Sequence, residues 1–158
     1  MAVPERLQRV AVIGNGIMGH GISQVFAGGG KDVVMIGRNE PGLRAARARI
    51  GDSLQLFQRH ALLSQQEAEA ALARVSTSTS LLDAAGADLV VEAVPEDTEL
   101  KLAIFGKLDG ICPPRAVLAS SCGRGQGDRR LHRQQAPVRS PPGSARPVVG
   151  RGRIGGSH

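Results

Sequence analysis

A buried-strand pattern that runs directly into a Gly-x-Gly-x-x-Gly turn constrains this chain more than any other feature. Residues 10–21 read VAVIGNGIMGHG. Val10, Val12 and Ile13 supply the strand, and Ile17, Met18, Ile22, Val25 and Phe26 recur at helical spacing beyond the turn. In that order each glycine has a separate task. Gly14 lets the strand turn tightly, Gly16 removes a side chain where backbone must approach a pyrophosphate, and Gly19 lets the following helix pack closely on the sheet. Asn15, Ile17 and Met18 complete the turn, whose unpaired amides at a helix N-terminus are donors for phosphate. Glycine turns that bind nothing are common, so the expectation of a dinucleotide site rests on strand, turn and helix in sequence.

The rest of the chain supplies partners for that unit. Residues 32–36 (DVVMI) read as a second strand, after glycines at 28, 29 and 30 that end the first helix. Residues 40 to about 60 carry Leu43, Ala46, Ile50, Leu54 and Phe57 at spacings of three and four, an amphipathic helix of about five to six turns. Ser64 with Glu67 forms a capping-box signature that opens another helix. Residues 89–94 (LVVEAV) are expected as a third strand, led into by residues 83–87. Asp97 then caps a helix whose shared face is expected to hold Leu100, Ile104 and Leu108, with Phe105 beside it. Pro113 and Pro114 close that region, and residues 116–120 read as one further strand. Alternation of strands and helices implies an α/β fold, a Rossmann-type doubly wound parallel sheet with the glycine turn at its carboxyl edge.

Charge divides the chain in two. The net charge of +6 arises from residues 122–158, which hold 8 Arg against Asp128 alone, whereas residues 1–121 hold 12 Lys and Arg against 13 Asp and Glu. The basic tail also has 8 Gly and 4 Pro, no Lys and no aromatic residue. It lacks the clustered apolar residues that offset chain entropy and is expected to be disordered, the composition of a GC-rich message read out of frame. A nucleic-acid-binding segment is the other reading of such a tail, disfavoured because it has no aromatic ring for stacking and no helical period. No apolar run approaches the ~18 residues of a membrane span. The start MAVPERLQRV lacks the apolar stretch of a signal peptide, and Cys112 and Cys122 form no disulfide framework, so cytoplasm is the expected compartment. No His or Cys spacing suits a metal.

The motif GNGIMGHGI, the helix EPGLRAARARIGDSL and above all VVEAVPEDTELKLAIFGKLD resemble, in order and spacing, the N-terminal domain of the 3-hydroxyacyl-CoA dehydrogenase family, which includes 3-hydroxybutyryl-CoA dehydrogenases. The resemblance covers about residues 8–121. It implies NAD as cofactor, a 3-hydroxyacyl-CoA as substrate, and hydride exchange between the C3 hydroxyl carbon and the nicotinamide. The cofactor glycines fall on Gly14, Gly16 and Gly19, and the nicotinamide-side acid and lysine on Glu96 and Lys101. A serine that meets the acyl-CoA falls on Ser53, and a basic position on His60, with Arg59 adjacent. For these three, a polar helix face is the competing reading. For Glu96 and Lys101 it is a solvated helix-start acid and a surface lysine.

Two departures accompany the resemblance. The acid that ends the second strand in the family and binds the adenine ribose is replaced by Gly37, followed by Arg38. Loss of that carboxylate removes its repulsion of a 2′-phosphate, and Arg38 offers a planar donor, so NADP enters beside NAD. Beyond Ala119 the family continues with a serine-containing turn, a histidine and glutamate dyad and a helical domain for substrate and homodimer contacts. Here the chain reads LASSCGRGQG, with Gly123 at the serine's place, and His132 lacks the expected surroundings. The general base is not recognisable and the helical substrate domain is expected to be missing. A truncated, non-catalytic nucleotide-binding fragment is therefore the alternative to an active dehydrogenase.

Overall fold

In the structure, a computed structural model, residues 7–121 are described. The tail at 122–158, with Cys122, Gly123 and His132, lies outside the described residues, and so do the expectations of disorder, altered frame and nucleic-acid binding made for it.

Five strands, β1 (Arg9–Ile13), β2 (Asp32–Ile36), β3 (Val75–Ser78), β4 (Leu89–Glu92) and β5 (Val117–Ser120), form one sheet in the order β3-β2-β1-β4-β5. Every pairing is parallel. Strand side chains alternate across the sheet. Val10 and Val12 therefore join Val33 and Met35 on one face, beneath α1 (Ile17–Gly28), α2 (Glu40–Arg59) and α3 (Gln65–Ala73). Ala11 and Ile13 join Ile36 and Val90 on the other, under Leu108 of α4 (Thr98–Ile111) and a 3-10 turn at Leu81–Ala84. The chain leaves β1 toward β2 on one side and reaches β4 on the other. Carboxyl-end loops diverge at such a reversal of strand order and open a crevice there.

Side chains cap the starts of α2, α3 and α4, the last two as the sequence signals predict. Asn39 caps α2 by accepting from the Gly42 amide at 2.8 Å. Ser64 and Glu67 close a full capping box on α3, and Asp97 caps α4 through the Leu100 amide at 3.0 Å. Leu43, Ala46, Ile50 and Leu54 of α2 are buried as their spacing predicts, while Phe57 is exposed.

Three expectations are corrected. β3 is an unexpected edge strand. Its sequence, VSTS, has only Val75 buried, so it carries too little apolar pattern to read as a strand. On α1 the buried stripe is Gly19, Ser23 and Ala27, whereas Ile17 and Val25 are 82% and 73% exposed. Small residues bring this helix close to the sheet, so the large ones are left outside. On α4, Leu100 is exposed and Lys101 turns inward beside Leu108.

Asp88 ties the amino edge of the sheet together. Its Oδ2 accepts from the amides of Gln8 and Arg9, both at 3.0 Å. Its own amide and carbonyl bond Arg9 of β1 and Val117 of β5. The hydrogen bond from the Arg9 amide, then that from Gln8, holds this carboxyl below its ordinary range, with the Arg115 and Arg9 charges adding to them. A depressed folded pKa contributes stability that is complete above the unfolded value and is lost as pH falls through the folded one. Denaturant unfolding from about pH 6 to about pH 2 should show stability declining on the acid side, and Asp88→Asn should flatten part of that decline. Identical pH profiles for the two proteins would contradict the assignment.

Candidate functional site

The glycine turn joins β1 to α1 at the carboxyl edge. Gly14 has φ +111°, and a Cβ built there would lie 2.5 Å from the Ala93 carbonyl oxygen. Its amide donates to the Ile36 carbonyl at 2.7 Å, so the turn is fastened to β2 while pressed against the end of β4. At Gly19 a Cβ would lie 2.0 Å from the Gly14 carbonyl oxygen, which no side-chain movement relieves because both atoms belong to backbone. Gly16, the N-cap of α1, differs: no atom lies within 4 Å of a Cβ placed there. Packing therefore demands glycine at two of the three positions and leaves the third facing open space. An open cradle beside a helix N-terminus fits a pyrophosphate.

Ile17 and Met18 open α1 as its first two residues, exposed at the rim of the turn. His20 approaches the Gly16 carbonyl with Nδ1 at 2.7 Å and braces the first turn. Gly37 and the exposed Arg38 follow β2, so they border the same edge. Asn15 reaches toward them. Its Cγ lies 3.1 Å from a Cβ built at Gly37, and its Nδ2 lies 2.8 Å from one built at Gly42.

On the other side of the crevice stands a buried ion pair whose acid the sequence reading passed over. Glu92 ends β4 and is fully buried, and Lys101 in the first turns of α4 is 4% exposed. The Lys101 Nζ is 3.5 Å from Glu92 Oε2 and 3.4 Å from Oε1 of the exposed Glu96. Glu92 also accepts from the Val94 amide at 2.6 Å through Oε1 and from Ser120 Oγ at 2.6 Å through Oε2. One carboxylate thus links β4, β5 and α4. Its signal in the sequence was a charged residue closing an otherwise apolar strand, LVVE. A surface lysine is excluded for Lys101, while Glu96 does stand in solvent.

Ser53 is half-buried on α2 and its Oγ accepts from Gln24 Nε2 of α1 at 2.9 Å. Arg59 and His60 are exposed at the end of α2. At 1.5 Å per residue, they stand about 30 Å along the axis from the helix start, and Ser53 about 20 Å. The structure brings together the glycine turn, Asn15, Gly37 and Arg38, and separately Glu92, Glu96, Lys101 and Ser120 across the switch point. It does not bring Ser53, Arg59 and His60 to either group. Arg59 instead lines an open groove of about 580 Å³ between α2 and α3. Among the described residues no group of His, Cys, Asp and Glu is arranged to hold a metal ion, and no helix is long and apolar enough to cross a membrane.

With this geometry in place, comparison with known proteins identifies the lineage. The family model for the 3-hydroxyacyl-CoA dehydrogenase NAD-binding domain matches residues 9–125. The chain belongs to the 3-hydroxyacyl-CoA dehydrogenase family. Its sequence is 38% identical over 118 residues to a 3-hydroxybutyryl-CoA dehydrogenase of Mycobacterium tuberculosis, a match covering 74% of this chain and 41% of the relative. It is 34% identical over 119 residues to the peroxisomal fatty acid β-oxidation multifunctional protein MFP2 of Arabidopsis thaliana, covering 75% of this chain and 16% of that protein. The crystal structure of (S)-3-hydroxybutyryl-CoA dehydrogenase from Ralstonia eutropha superimposes with a TM-score of 0.70 at 33% identity, over 73% of this chain and 41% of that one. The chain thus spans well under half the length of these relatives, and matches their nicotinamide-cofactor domain.

The packing separates the three glycines experimentally. Gly14→Ala and Gly19→Ala should each lower the unfolding midpoint strongly, since their Cβ atoms meet backbone, whereas Gly16→Ala should unfold close to the parent. Lys101→Met should cost about 3–5 kcal/mol, because it leaves the Glu92 carboxylate buried without its cation. Parent-like stability in Gly19→Ala or Lys101→Met would refute the packing described.

Proposed function

We propose that this fold is the cofactor-holding half of a 3-hydroxyacyl-CoA dehydrogenase and that it binds NAD across the carboxyl ends of β1 and β4. The observation that carries the reading is the contrast between Gly14 and Gly19, locked by backbone contact, and Gly16, open to the crevice. Residues Gly14, Asn15, Gly16, Ile17, Met18 and Gly19 would hold the pyrophosphate, with Gly37 and Arg38 at the adenosine end and Glu96 and Lys101 at the nicotinamide end. NAD, when bound, supplies the hydride acceptor for oxidation of the C3 hydroxyl carbon of a 3-hydroxyacyl-CoA. The protein's part in this half is to hold phosphate on oriented amides and to keep the Lys101 ammonium at a fixed place. Glu92 supports that second task by fastening Lys101 from below. Ser53, Arg59 and His60 keep the role of meeting CoA, whose phosphates suit a cation such as Arg59. The substrate would then extend along α2.

A second reading concerns the cofactor. Gly37 offers no carboxylate to repel a 2′-phosphate and Arg38 is exposed beside it, which favours NADP. Turnover is a separate matter. The family resemblance implies a general base beyond the cofactor domain, and no matching segment is recognisable in residues 122–158, so these 158 residues by themselves are proposed to bind without oxidising substrate. The cytoplasm remains the proposed compartment.

Calorimetry on the full chain tests the reading. NAD or NADP should bind, and Gly16→Val, which points a branched side chain into the cradle, should lose binding while remaining folded. Equal binding by that variant would sink the assignment. If Arg38 seats the 2′-phosphate, NADP should bind more tightly than NAD, and Arg38→Ala should weaken NADP about tenfold or more. With 3-hydroxybutyryl-CoA and NAD, no change in nicotinamide absorbance is expected; sustained turnover would show that the base has been overlooked.

A further inference from the structure

Gly37 is more than a lost carboxylate. A Cβ at this position would lie 2.9 Å from Leu43 Cδ2, 3.0 Å from Leu43 Cγ and 3.1 Å from Asn15 Cγ. Leu43 is fully buried in the core. The space that a residue-37 side chain would enter is already taken, in part by the Asn15 carboxamide. That carboxamide is accommodated a second time at Gly42, where a Cβ would meet Asn15 Nδ2 at 2.8 Å and Asn39 Oδ1 at 3.0 Å. Two glycines on separate segments, the end of β2 and the first turn of α2, therefore form a notch that Asn15 fills from the glycine turn.

We infer that Asn15, seated in the notch between Gly37 and Gly42, has taken over reading of the adenine ribose from the strand-end position. The inference rests on the crevice being a dinucleotide site. A carboxamide offers one acceptor oxygen and two N–H donors and carries no charge. It accepts from a ribose 2′-hydroxyl or donates to a 2′-phosphate without repelling it. Selectivity at this end is thereby uncoupled from residue 37 and passes to Asn15 together with Arg38.

The isosteric variant Asn15→Asp is the decisive probe, since it adds charge in the same volume and leaves both glycines unchanged. Calorimetry on the full chain with NAD, NADP, AMP and adenosine 2′,5′-bisphosphate should show the NADP-to-NAD affinity ratio falling at least tenfold, with the two adenosine fragments shifting in parallel. Asn15→Ala, which only removes atoms, should weaken both dinucleotides about three- to tenfold. Gly37→Asp, the change that strand-end logic would choose, should instead weaken both and lower the unfolding midpoint. A ratio within twofold of the parent in Asn15→Asp, or an unchanged affinity in Asn15→Ala, would overturn the inference while leaving the dinucleotide reading intact. Failure of the parent chain to bind any of the four probes would overturn both.

Discussion

The contact of Gly19 with the carbonyl oxygen of Gly14 is the constraint on which the rest of the molecule depends. A Cβ at residue 19 would sit 2.0 Å from that oxygen, so α1 can begin where it does only because the side chain is hydrogen. The close approach continues along the helix through Ser23 and Ala27, both buried small residues. It fixes the height of α1 over β1 and β2 and so the aperture of the turn. Gly16 then faces empty space at the helix N-terminus, where oriented amides make an anion seat. Packing and candidate chemistry share one backbone geometry.

The opposite wall of the crevice is held by a different force. Glu92 and Lys101 are buried together, and burial of such a pair costs desolvation that good geometry only partly offsets. The hydrogen bonds from the Val94 amide and Ser120 Oγ complete the solvation of the Glu92 carboxylate and tie β5 to β4 at the same atom set. A pair of this kind contributes position rather than net stability. Its effect is an ammonium group held at the carboxyl edge and facing Glu96, which stands in solvent at the rim.

How much of this was legible in the sequence depended on how locally each feature is encoded. The glycine turn, the capping residues Ser64 and Asp97 and the buried stripe of α2 from Leu43 to Leu54 are set by neighbours within four residues, and they read correctly. β3 did not, because an edge strand needs little apolar pattern and VSTS supplies Val75 alone. The face of α1 was misread because hydrophobicity pointed to Ile17 and Val25, while close packing selected Gly19, Ser23 and Ala27. Leu100 and Lys101 exchanged their expected places for a reason residing in Glu92, nine residues earlier. Gly37 read as a missing acid; that Asn15 and Leu43 occupy its side-chain space is a three-body fact that no single segment states. Ser53, Arg59 and His60 came from resemblance alone, and the structure strings them along α2 away from the crevice.

The proposed dinucleotide seat is the carboxyl-edge crevice between β1 and β4. Backbone amide resonances of the full chain, followed by NMR during titration with NAD, test it most directly. Saturable shifts are expected at residues 14–19, 37–39 and the start of α4 around Lys101 alone, with the amides of Arg9, Asp32 and Asp88 at the amino edge unmoved. Shifts centred on the amino edge or on the α2–α3 groove, or none at saturating NAD, would contradict it.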